Sequence, residues 1–265
     1  MCCYDATHRL TSVPKKWSAN DSHLRGTPKC QGPSLPVRLL DRYFYFAMSL
    51  LIAAVVVAGF SLTINQRLFH PAVTPPSVLW VHGMVFSAWV LFFMLQSGLV
   101  RMRKVRWHRT MGLFGVALGA AVLTLGVATT IVMHRFQYFQ LHRETAIRSI
   151  SVPLFDMVCF AATFGLAIAW RKKPEYHRRL MLLATCALTA AAFGRLANFF
   201  LLPKGSFYLG VDLLILLGVA RDLIVTRSVH RVYLVALPLF MAGQTFVAVS
   251  FTTGWWYRIA KWILL

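Results

Sequence analysis

Imidazole, carboxylate and guanidinium groups inside an oily chain are the places where chemistry can happen, and this chain has few of them. His108 and His177 each open an apolar stretch, in the strings RWHRTMG and PEYHRRLMLLAT, and arginines flank both. A neutral imidazole is a metal ligand, and one from each of two helices can hold a haem iron. The neighbouring arginines would then face the propionates. The plainer alternative makes both residues interfacial, lying among basic side chains at the level of the lipid headgroups.

A second group, His82, Asp156, Arg195 and Asp212, lies within apolar runs, with Asn198 and Gln244 near it in depth. Charged residues at such positions face a bundle interior and pair or line a cavity. One reading is structural, with Arg195 bridging Asp156 and Asp212. The other is an outer polar pocket for a proton, a quinone or small molecule, or an anionic headgroup. One histidine and two aspartates resemble a facial metal set, but the adjacent Arg195 opposes a divalent cation, so no metal is expected there.

These residues have to be positioned by helices. Hydrophobic residues make up 58% of the chain and charged ones 14%, which is too apolar for a soluble domain of this length. A hydrocarbon core of about 30 Å takes roughly 20 apolar residues per helix. Seven stretches qualify: 42–64, 77–100, 110–133, 150–170, 178–202, 206–226 and 231–252. All must be helical, because lipid offers no partner to an exposed backbone. The expected architecture is therefore all-α, a polytopic bundle of seven transmembrane helices forming one domain over 39–265. Residues 1–38 are expected to be a disordered basic cytoplasmic tail, and RLLDRYFYF marks where the chain goes into the membrane.

The net charge of +20 does not signal nucleic acid. Basic residues concentrate in alternate loops, at Arg101–Arg109 and at Arg171–Arg179, while the loops near 65–76 and 203–206 hold one each. The positive-inside rule then places the amino terminus in the cytoplasm and the carboxyl terminus outside, with anionic lipids as the partners of the excess charge. The cysteines form no framework: Cys2, Cys3 and Cys30 lie in the tail and Cys159 and Cys186 in apolar segments.

Two patterns refine the segments. His82, Trp89 and Gln96 are spaced by seven and share a helical stripe. Gly112, Gly115, Gly119 and Gly126 share a face with His108, either as a small-residue packing seam or as a smooth wall for a flat cofactor. His134 and His142 fall in a longer outer loop with an amphipathic turn, and both are expected to be solvated.

HGMVFSAW, LVRMRKVRWHRTMG, PEYHRRLMLLAT with Arg195 downstream, and VDLLILLGVARDLIVTRSVH resemble an uncharacterised family of bacterial multi-pass membrane proteins over about residues 40–262. That resemblance implies fold and an inner-membrane location, without a reaction. The layout is also distantly similar to transmembrane b-type di-haem cytochromes. That similarity implies haem b on His108 and His177, and an outer ligand at His82 whose partner position holds Phe155-Asp156. The leading expectation is a haem-binding electron-transfer protein. The alternatives are a non-haem binding or transport protein built on the outer pocket, and an accessory subunit of a larger membrane complex. No HExxH or clustered triad marks a hydrolase, and whether the chain is an enzyme stays open.

Overall fold

A computed structural model describes residues 35–265 apart from Lys204, and the expected tail, up to residue 34, lies outside the described residues. The described chain is helical, with no strand among those residues. Helix α1 (Leu35–Ile64) ends in a π-helical turn, Asn65–Phe69. It starts four residues before the expected domain boundary, with Pro36 in its first turn, where a missing N–H costs nothing. Then come α2 (Val78–Arg101), α3 (Val105–Phe139), α4 (Thr145–Ser149) and α5 (Ser151–Ala169). They are followed by α6 (Pro174–Ala187), α7 (Ala190–Phe199), α8 (Phe207–Thr226), α9 (Arg231–Ser250) and α10 (Gly254–Leu264).

Among the described residues five helices are long and apolar enough to cross a membrane: α1 with its π-turn, α2, α3, α9, and α4 continued by α5. A sixth crossing results if α6 and α7, bent by 42° at their junction, are taken as one broken span. This is fewer than the seven expected, and the difference lies in α8. That helix has 20 residues, but Asp212, Arg221 and Asp222 interrupt its apolar run.

Two of the three hydrophobic cores among the described residues position the central helices. In the first, Trp89 from α2 packs edge-on against Phe160 and Phe164 of α5, at 5.2 and 5.5 Å between ring centres. Leu118 and Val122 of α3 and Ala184 of α6 complete it. In the second, Met48 and Ile52 of α1, Leu182 and Leu183 of α6, Leu214 and Ile215 of α8, and Phe240 of α9 are buried together. Helix α6 belongs to both cores, so its rotation decides which of its residues face α3 and which face α8.

The glycine face of α3 is a packing seam. A Cβ on Gly115 would strike Phe92 of α2, one on Gly119 would strike Phe164 of α5, and one on Gly126 would strike Met157 of α5. The smooth-wall alternative survives only at Gly112, one turn from His108, where a Cβ would meet nothing within 4 Å. The outer loop is shorter than expected, because α3 runs on to Phe139. His134 is therefore helical and buried, its Nδ1–H donating to the Thr130 carbonyl at 2.7 Å. His142 is exposed, in a turn with φ 49°.

Candidate functional site

Helices α2 and α3 form a hairpin whose turn includes Arg103 at φ 60°, and α5 joins α6 through a short basic turn ending at Lys173. Pro174 starts α6 with the fixed φ a first helical position needs. These two turns lie at one end of the bundle and bring His108 and His177 together, with ring centres 6.3 Å apart and planes at 72°. The Nδ1–H of His177 donates to the Ala167 carbonyl at 2.8 Å. That bond selects one tautomer and leaves the Nε2 lone pair free. Nδ1 of His108 is buried without a hydrogen-bond partner among the described residues.

The stripe on α2 continues the same theme. His82 Nδ1, Trp89 Nε1 and both amide atoms of Gln96 are buried and unpartnered among the described residues. His82 stacks on Phe86 at 3.9 Å. Most buried polar atoms in folded proteins have a partner, so a row of four orphaned groups on one helix face is unusual.

Residue i+2 of an α-helix is rotated about 200° from residue i, so when His177 faces α3, Arg179 faces away from it. There the structure builds a site that sequence reasoning missed. Arg179 grips Asp222 of α8 with two hydrogen bonds, Nε to Oδ2 at 2.8 Å and Nη2 to Oδ1 at 2.7 Å. Its Nη1 donates to the Glu175 carboxylate and carbonyl, both at 2.7 Å. Arg221 donates to Asp222 at 2.7 Å and to Asp41 of α1. With the Arg178–Glu175 pair, six charges alternate in sign from Arg178 through Glu175, Arg179, Asp222 and Arg221 to Asp41.

Arg179, Arg221 and Asp222 are almost fully buried, and the chain of pairs ties α1, α6 and α8 together. Beside it, His230 accepts the Val232 N–H at 3.2 Å and caps α9. Burial, followed by the nearby Arg179, holds the His230 imidazole below its usual range. The signal for this network was present in the sequence as an Arg-Asp pair within an apolar run. Arg179, however, reads as one more positive-inside charge.

The outer group does not gather into one ion-paired cluster. Arg195 was expected to bridge Asp156 and Asp212. Instead its Nε donates to Thr63 at 2.9 Å, its Nη1 donates to the Ala191 carbonyl at 2.6 Å, and it lies 4.0 Å from the Phe60 ring centre. Asp156 is buried with the Tyr208 hydroxyl at 3.5 Å, and Asp212 accepts from Gln244 at 2.7 Å. The physical reason is the bend before α7, which turns Arg195 toward α1. The Thr63 hydroxyl, a backbone carbonyl and the Phe60 ring, not a carboxylate, receive its charge.

Comparison with models of known protein families, with characterised proteins and with solved structures gave no match.

Proposed function

We propose that this integral membrane protein is an electron carrier that holds one b-type haem between His108 on α3 and His177 on α6. The observation that carries the reading is the spacing of the two imidazoles. Iron bound to two imidazoles at about 2 Å each, with the radius of each ring added, sets ring centres about 6.3 Å apart. The separation here is 6.3 Å. The Ala167 carbonyl supports the same reading by fixing the His177 tautomer. So does the open space beside Gly112, and so does the unpartnered Nδ1 of His108.

A haem in that position supplies a one-electron couple. The residues of the chain do the rest. His108 and His177 would hold the iron from α3 and α6, and Arg106 and Arg109, both exposed, supply cations where α3 begins. The alternating charge chain holds α6 in the rotation that keeps His177 toward α3. In this reading the bundle crosses the membrane seven times. Helix α8 and the broken α6–α7 pair each count as a span, and the amino terminus lies on the side of the basic loops.

Haem supplied during expression should give a purified protein with a Soret band and a sharp reduced α-band. His108→Ala and His177→Ala should each abolish both bands while inserting into the membrane at wild-type levels. A colourless wild-type protein after haem supplementation would sink the proposal, and co-purification of fixed partner subunits would then favour the accessory-subunit reading.

A further inference from the structure

A crevice of about 420 Å³ runs between α5, α6 and α9. Its walls are apolar over most of their length. At one end they reach Phe155 and Phe240, and at the other Trp170, Tyr176 and Arg231. The crevice exists because alanines, Ala162 and Ala236, line it between larger neighbours. The α9 wall from Arg231 to Phe240 is about 13 Å long and the α5 wall from Phe155 to Trp170 about 22 Å, both within a hydrocarbon core about 30 Å thick.

The polar end is specific. Arg231 is exposed and has no ion pair or hydrogen bond among the described residues. Trp170 and Tyr176 meet edge-on at 5.2 Å beside it, and Lys173 lies 5.8 Å from the Tyr176 ring centre. Amphipathic aromatics and free cations at one level are the signature of the lipid headgroup region. We propose that this crevice seats one acyl chain of an anionic glycerophospholipid, whose phosphate pairs with Arg231. The proposal rests on the membrane-spanning helices and is independent of haem.

Lipid tails are as apolar as leucine, so any phospholipid tail fills the crevice equally well. Selectivity comes from the headgroup, and a cation at this level is worth about fivefold in affinity for an anionic lipid. The test is native mass spectrometry of the full chain in detergent, titrated with phosphatidylglycerol or with phosphatidylcholine carrying identical chains. The wild-type protein should retain one phosphatidylglycerol at least about fivefold more tightly than phosphatidylcholine. Arg231→Gln, a change at an exposed position, should bring the two lipids to parity.

Ala236→Trp should lose retention of both lipids. Ala162→Leu, a milder filling, should weaken both in a protein whose circular dichroism and elution match wild type. Three results would each overturn the proposal: equal retention of the two lipids by wild type, undiminished preference in Arg231→Gln, or glycerol phosphate without chains binding as tightly as the lipid.

Discussion

Asp222 is buried between two guanidinium groups, and its carboxylate is the hinge of the charge chain. Replacing it with asparagine keeps one amide acceptor but removes the negative charge that lies between Arg179 and Arg221, and breaking a buried pair in this way costs about 3–5 kcal/mol. Asp222→Asn should therefore lower the midpoint of unfolding in detergent far more than Asp41→Asn. The Asp41 end of the chain is half exposed, and an ion pair with one partner in solvent is worth about 0–1 kcal/mol. Equal losses for the two variants would mean that the chain does not act as a buried unit. The histidines were legible in the sequence because each begins an apolar run beside arginines. Arg179 was not, because counting loop charges treats every basic residue near a helix start as solvated. The rotation of α6, two residues past His177, turns one of them inward.

Close approach of two helices explains another part of the bundle. Gly59 of α1 lies against the backbone of Ala192 in α7, where a Cβ would be 2.5 Å from the carbonyl oxygen and 2.8 Å from Cα. Neither atom belongs to a side chain that can swing away, so Gly59→Ala should cost about 1–3 kcal/mol by overpacking. Gly112→Ala is the control, since it meets nothing within 4 Å and should stabilise α3 by up to about 1 kcal/mol. Thermal unfolding of both variants in one detergent checks the pair, and a loss at Gly112 equal to that at Gly59 would contradict this account of the α1–α7 approach. The long helices were readable from apolar length. The break between α6 and α7 was not, because the run CALTAAAFG has neither proline nor a mid-run glycine at the bend. It is Thr189 that marks the bend, inserting its hydroxyl at 2.6 Å onto the Cys186 carbonyl that also accepts its own N–H at 3.0 Å, in the way side chains mark kinks.

At the scale of the whole molecule the loop charges make a directional prediction. Single cysteines at Arg103 and at Leu265, in a background without the native cysteines, should differ in intact cells. An impermeant thiol reagent should label the second and spare the first. The reverse pattern would turn the bundle over. Apolar length alone made the membrane class legible, whereas the number of crossings depends on α8, whose charges are met by partners on α1, α6 and α9. At the far end of the bundle, Ile147 and Ile150 of the α4 region are buried with Trp256, Ala260 and Leu264 of α10. The Trp256 indole donates to the Arg148 carbonyl at 3.1 Å, across 108 residues of sequence. Ribosomes add roughly 5–20 residues per second, so in the growing chain this apolar patch waits about 5–20 s for its cover. During synthesis the α4 patch thus stays uncovered until α10 has been made and can dock on it.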